Sequence, residues 1–88
     1  MQSLQVSLRS LVRTVAHKHD EVIVTEVLPG KGFQVGVALT DYHAVLSKMS
    51  VIKTLAMRMA EMPEGQSVII NLVVNENVPP LGSQTTRT

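Results

Sequence analysis

Residues 21–39 constrain the fold of this chain most strongly, because they carry the pattern of a β-hairpin. Residues 21–28 contain a run of β-branched side chains, and residues 33–39 alternate larger apolar side chains with polar or small ones. Between these runs lies Pro-Gly-Lys-Gly at 29–32, where proline presets φ and glycine supplies the positive φ of a turn. Gly36, inside the second run, indicates a bulge or the close approach of another backbone. The sequence therefore predicts two antiparallel strands joined by a short turn.

A helical pattern lies on each side of this hairpin. In residues 3–17, leucine and valine recur at the spacing of one helix face, and the serine at the start is suited to cap the N-terminus. Residues 40–62 keep an apolar stripe without glycine or proline, and either Thr40 or Asp41 can cap the start. The pattern is compatible with one long helix or with two helices broken near residues 47–50.

The last element is a nearly continuous apolar run over residues 67–74, which follows a Pro-Glu-Gly-Gln break at 63–66. Such a run is typical of a strand that is central in a sheet or buried on both faces. We expect residues 1–75 to form one domain and the proline- and glycine-containing residues 76–88 to form a flexible tail. The order of elements predicts an α+β fold, with a three-stranded sheet and helices packed on one of its faces.

Composition narrows the classes of protein to which the chain can belong. Its 88 residues suit one domain, and its formal net charge is only +1. Without cysteine it has no disulfide framework, no thiolate zinc site and no cysteine nucleophile. The first residues show neither a basic leader nor an apolar run, and no stretch approaches the length of a membrane span. These features favour a cytoplasmic protein with no membrane partner.

The residues offer little for catalysis. His17 and His19 do not share a helix face, His43 is distant in sequence, and no group of acidic side chains accompanies any of them. There is also no glycine-rich phosphate loop and no nucleophile elbow. We therefore expect a protein that is not an enzyme, with no metal, no cofactor and no small-molecule substrate.

Several short segments carry a likeness to a known family through their order and spacing. They are His-Asp-Glu-Val at 19–22, Thr-Glu-Val at 25–27, Val-Ala-Leu-Thr-Asp at 37–41, Ala-Val-Leu at 44–46, Ile-Lys-Thr-Leu at 52–55 and Glu-Gly at 64–65. The chain resembles the bacterial single-KH-domain RNA-binding proteins over roughly residues 8–74. The resemblance implies the type II KH fold, with the order α-β-β-α-α-β.

The resemblance also implies a binding site for single-stranded RNA. In that family a Gly-x-x-Gly loop between two helices holds the RNA backbone. The corresponding residues here are Ser-Lys-Met-Ser at 47–50, so both glycines are replaced. The implied function is backbone contact with low sequence specificity, with Val45 and Ile52 as the apolar groove beneath the bases. The implied contact residues are Val45, Ser47, Lys48, Met49, Ser50, Ile52 and Lys53.

Loss of both loop glycines, the near-neutral charge and the presence of only two aromatic residues leave an alternative open. In this alternative the chain is a degenerate KH domain that contacts protein, as a homodimer or with another protein partner. The contact surface would be the helix that carries Met57 and Met62, or an edge of the sheet, since an uncovered edge can pair with another chain.

Overall fold

The structure is a computed structural model that describes residues 3–75. These residues form, in order, helix α1 (Leu4–Val15), a 3-10 turn (His19–Glu21), strand β1 (Ile23–Leu28), strand β2 (Gly32–Val37), helix α2 (Leu39–Met59) and strand β3 (Ile69–Val74). The hairpin, the two helical regions and the last strand predicted from the sequence are confirmed. The predicted tail over 76–88 lies outside the described residues.

The three strands form one mixed sheet with β2 in the centre. β2 pairs antiparallel with β1 and parallel with β3. A register shift falls between Glu26 and Leu28 on β1, so the bulge lies there and not at Gly36. α1 and α2 pack together and against one face of the sheet, as the buried side chains show. The α+β fold with helices on one face is therefore confirmed.

The α-β-β-α-α-β order is not found, because one continuous helix connects β2 to β3. Residues 47–50 lie inside α2, with nothing there to stop a helix. The Ser47 hydroxyl donates to the carbonyl of Ala44 at 2.8 Å, and the Thr54 hydroxyl donates to the carbonyl of Ser50 at 3.1 Å. These bonds hold the hydroxyl groups of Ser47 and Thr54 within the helix, so neither side chain diverts the backbone from helical geometry.

The core lies between the helix layer and the central strand. Phe33, Val35 and Val37 alternate along β2 and project towards the helices, where each is almost completely buried. They meet side chains from α1, such as Leu8 and Val12, and side chains from α2. The period-2 pattern of β2 and the helical periodicity of α1 thus converge on one cluster, as the sequence predicts.

The position of β3 corrects the prediction that it is central or buried on both faces. β3 is a terminal strand of the sheet. The hairpin already places β1 on one side of β2, so the crossover through α2 returns the chain to the other side. Ile69 remains 63% exposed, and the remaining side chains of β3 are half-buried or exposed. An edge position is therefore occupied by a strand whose composition is typical of a sheet interior.

Asp41 joins the end of α1 to the start of α2. Its side chain is only 2% exposed and accepts the backbone N–H groups of His17 and Lys18 at 3.0 and 2.9 Å. These two hydrogen bonds, that from Lys18 first, hold the pKa of the Asp41 carboxyl below its ordinary value. The prediction that Thr40 or Asp41 caps α2 is wrong, because Ala38 is the N-cap residue and no side chain caps the helix there. The bonds of Asp41 to a distant loop carry no signal in the sequence.

Candidate interaction surface

The structure places the predicted RNA-contacting residues around α2 and does not gather them into one site. Val45 and Ile52 are 0% and 3% exposed and face the core, so they cannot lie beneath bases. Ser47, Lys48 and Ser50 are exposed, whereas Met49 and Lys53 are half-buried. Because each residue advances about 100° around a helix, Lys48 and Lys53 project from different sides of α2.

The helical backbone also removes the usual means of holding phosphate at residues 47–50. A Gly-x-x-Gly loop offers backbone N–H groups to the phosphates, together with the N-terminus of the following helix. Inside α2 those N–H groups are engaged in bonds along the helix, and α2 begins upstream at Leu39. The described structure therefore has no phosphate-binding loop at this position.

Aromatic stacking on bases is likewise not offered by this chain. Its two aromatic residues are Phe33 and Tyr42. Phe33 is buried in the core, and Tyr42 is half-buried with its ring edge-to-face with His43 at a centroid distance of 5.7 Å. Single-strand binders without sequence preference rely on exposed rings for much of their affinity. This surface lacks that platform.

The sheet face opposite the helices mixes apolar with polar side chains, and we call it the open face. From β1 it contains Ile23, Thr25 and Leu28; from β2, Gly32, Gln34 and Gly36; and from β3, Ile69, Asn71 and Val73. Most of the apolar side chains among these are at least half exposed. The set carries no charge, and a polar row of Thr25, Gln34 and Asn71 crosses its middle.

Asn75 crosses one end of the open face. Its backbone N–H donates to the carbonyl of Val37 at 2.6 Å, and its side-chain amide donates to the carbonyl of Glu21 at 2.9 Å. Between these two contacts the side chain passes over Gly36, where a Cβ atom would lie 3.3 Å from the Cβ of Asn75. The close approach at Gly36 is therefore that of a side chain, so neither the bulge nor the backbone approach predicted for this glycine is found.

The outer edge of β3 offers backbone hydrogen-bonding groups. Ile69 donates to Lys31 at 2.8 Å, and Asn75 donates to Val37, so the odd-numbered residues of β3 turn their backbone towards β2. Successive residues of a strand turn to opposite sides. The N–H and C=O groups of Ile70, Leu72 and Val74 therefore point away from the sheet, where the described residues supply no further strand.

The two edges of the sheet differ in how well they are protected from pairing with another chain. Natural sheets block their edges with charged side chains, prolines and bulges. β1 has a charged residue, Glu26, and a bulge beside it. β3, with the sequence Ile-Ile-Asn-Leu-Val-Val, contains no charge, no proline, no glycine and no bulge. Within residues 3–75, the outer edge of β3 is therefore the regular one and lacks these protecting features.

The helix layer also covers β3 incompletely. Ile70, Leu72 and Val74 project towards the helices, in register with Phe33, Val35 and Val37. The three β2 side chains are almost fully buried, yet all three β3 side chains stay partly exposed. Apolar side chains and unpaired backbone groups thus occur together along the same edge, which we call the β3 edge.

Other kinds of site find little support in the part of the chain that the structure describes. In residues 3–75, no three histidine, aspartate or glutamate side chains come close enough together to hold a metal ion. Over the same residues, no helix has the length and apolar character needed to cross a membrane.

Comparison with known proteins does not assign the chain to a family. No protein-family model matches it, and no curated protein or solved structure shows a significant match.

Proposed function

We propose that this chain is a non-enzymatic protein-interaction module that accepts an extended segment of another chain as an additional strand on the β3 edge. The observation that carries the proposal is the combination of outward backbone groups with an uncharged, unprotected strand at Ile69–Val74. In strand addition, main-chain hydrogen bonds supply affinity and alternate side chains supply specificity. Ile70, Leu72 and Val74 supply both features, since their backbones point outward and their side chains are partly exposed.

The charge distribution fits this mode of binding. The open face and β3 contain no ionisable side chain, so no charge loses its hydration when another strand is added. Binding through backbone bonds and apolar contacts is expected to vary little with ionic strength. Contact with RNA phosphates would instead weaken steeply as salt rises. Salt dependence therefore separates the two predicted functions.

RNA binding through residues 44–55 is the competing prediction. It rests on a resemblance to a family whose central loop is replaced here by an unbroken helix, and two of its contact residues, Val45 and Ile52, are buried. The protein-contact alternative needs no such loop. Of the two surfaces named for it, the sheet edge is favoured over the surface with Met57 and Met62, because β3 combines half-buried apolar side chains with outward backbone groups, whereas Met57 lies inside α2, where the backbone bonds along the helix.

Amide chemical-shift mapping tests the proposal. Short extended peptides selected from a displayed library for binding to this protein would be titrated into the labelled protein, and a random pool of single-stranded RNA would be titrated separately. We expect the peptides to shift the amides of residues 69–74, with little change on adding salt. A peptide effect absent from β3, together with salt-sensitive RNA shifts confined to residues 44–55, would overturn the proposal.

Two matched variants test whether the peptide binds at the β3 edge. Thr25 and Asn71 are both exposed and flank Gln34 in one row of the open face, on opposite edges of the sheet. Asn71→Lys places a charge at the β3 edge and is expected to abolish the peptide shifts. Thr25→Lys adds the same charge at the β1 edge and is expected to leave the shifts unchanged.

A further inference from the structure

We infer that the strand accepted by the β3 edge is β3 of a second copy of this chain, running antiparallel to the first. The inference rests on the proposed function and names its partner. The result is a closed dimer with one continuous six-stranded sheet, in which the helices of both copies lie on the same face.

Backbone complementarity supports this arrangement. When Leu72 lies opposite Leu72 of the second copy, Ile70 lies opposite Val74 of that copy. These are the residues whose N–H and C=O groups point outward. Residues in a hydrogen-bonded antiparallel pair exchange both backbone bonds. In this register each outward group of β3 therefore meets a partner, and the two copies contribute equally, as an isologous interface requires.

The side chains are compatible with the same register. On the helix side, Ile70, Leu72 and Val74 of one copy meet the same three side chains of the other, so the partly exposed apolar rows of both copies cover one another. On the open face, Asn71 lies opposite Val73. No charged residue lies on β3, so a copy approaches a copy without repulsion along the strand.

The unequal edges of the sheet explain why the assembly stops at two copies. Pairing through β3 leaves a β1 edge at each end of the joined sheet. Glu26 and the register shift beside it make that edge irregular and charged. Head-to-tail growth into an open-ended sheet would require β1 to pair as well, so self-association through β3 alone closes after one step.

The contact is small for a protein interface. A six-residue strand spans about 20 Å, and pairing one such edge buries less surface than the roughly 1,200–2,000 Å² of a standard stable interface. We therefore expect a weak and reversible dimer, which sedimentation equilibrium up to about 1 mM can detect.

Sedimentation equilibrium of the full chain and of three variants tests the inference. Asn71→Lys puts two like charges about 7–8 Å apart on diagonal positions of the dimer, and Asn71→Glu does the same with the opposite sign. Each variant is expected to raise the dissociation constant at least tenfold. An equimolar mixture of the two is expected to recover the dimer, because a heterodimer pairs lysine with glutamate. Thr25→Lys, on the opposite edge, is expected to change the constant less than about twofold.

The charge-swap mixture separates a lost contact from a lost fold, because two misfolded variants would not restore one another. A protein that stays monomeric at about 1 mM would overturn the inference, as would loss of the dimer in Thr25→Lys or failure of the mixture to recover it. If the chain is monomeric but selected peptides still shift residues 69–74, the partner is another protein and the proposed function stands. If the chain is monomeric and no peptide binds, both the dimer and the proposed function are wrong.

Discussion

Leu72 on β3 lies directly opposite Val35 on β2, yet Val35 is fully buried and Leu72 remains partly exposed. Both side chains project towards the helices. Val35 belongs to the buried cluster that includes side chains of α1 and α2, whereas Leu72 packs only against the margin of that cluster. The position of β3 at an incompletely covered edge is the basis for the interaction surface proposed above.

This relationship predicts that, of two truncations, the one that removes fewer atoms lowers the free energy of unfolding more. Val35→Ala removes fewer atoms but leaves a cavity in a closed core, and it is expected to lower the free energy of unfolding by about 2–3 kcal/mol. Leu72→Ala removes more atoms from a half-covered site and is expected to cost about 1 kcal/mol. Denaturant unfolding at low protein concentration, where the chain is monomeric, measures both. A larger loss for Leu72→Ala under these conditions would show that β3 is covered in the monomer.

The bonds of Asp41 predict an acid-dependent component of stability. The folded state holds the pKa of this carboxyl below the ordinary value of 3.8, so its stabilising contribution is complete above that value and is lost as pH falls through the lower folded pKa. Asp41→Asn removes the charge and is expected to lower Tm at neutral pH by about 5–10 °C. The difference in Tm between the native chain and Asp41→Asn is expected to shrink below about pH 4.

The control for Asp41 is His17. Its side chain is 95% exposed and lies 3.6 Å from the carboxylate, whereas its backbone N–H makes the hydrogen bond. His17→Ala keeps that backbone bond, so we expect a change in Tm of at most about 2 °C. A decrease in Tm as large as that of Asp41→Asn would show that the imidazole, and not the backbone bond, provides the stabilisation.

The end of α2 contains a backbone strain that a single substitution can relieve. Glu61 has φ of 55°, and the following N–H, that of Met62, donates to the carbonyl of Met57 at 2.9 Å. This is the Schellman ending of a helix, in which glycine is normally found. Glu61→Gly is expected to raise the free energy of unfolding by about 1 kcal/mol. Glu61→Ala retains a Cβ and is expected to give no such gain, which chemical denaturation would establish.

Gly36 and Asn75 are predicted to be energetically coupled. Gly36→Ala brings a Cβ to 3.3 Å from the Asn75 side chain and is expected to disturb its bond to Glu21, at a cost of about 1 kcal/mol. In an Asn75→Gly background neither the bond nor the contact remains, so the same substitution is expected to be nearly neutral. A double-mutant cycle measures the coupling. Equal costs in both backgrounds would mean that Asn75 does not lie over Gly36.

Much of the fold could be predicted from local patterns, because those patterns act over short distances. The β-branched run, the Pro-Gly-Lys-Gly turn and the alternation of residues 33–39 predict the hairpin, and the helical periodicity of residues 3–17 predicts α1. Ser3 accepts the N–H of Val6 at 3.2 Å, as its capping role predicts. The sequence did not decide between one helix and two at residues 47–50, since serine is tolerated in both settings.

The candidate surface could not be predicted in the same way. An apolar run such as that of β3 is typical of a buried strand, and only the order of strands in the sheet shows that it lies at an edge. The sequence signal that remains is negative, namely the absence of charge, proline and glycine from Ile69–Val74. In folded proteins the composition of a strand usually agrees with its position in the sheet, and departures from this agreement are expected at functional sites.

Hydrogen exchange of the β3 amides tests the central claim most directly. The N–H groups of Ile69, Asn71 and Val73 face β2 and are expected to be protected at every protein concentration. Those of Ile70, Leu72 and Val74 face outward and are expected to exchange rapidly in dilute protein and to become protected as concentration rises, or when a selected peptide is added. Rapid exchange of these three amides under all conditions would contradict the account, because no chain would then be pairing with the β3 edge.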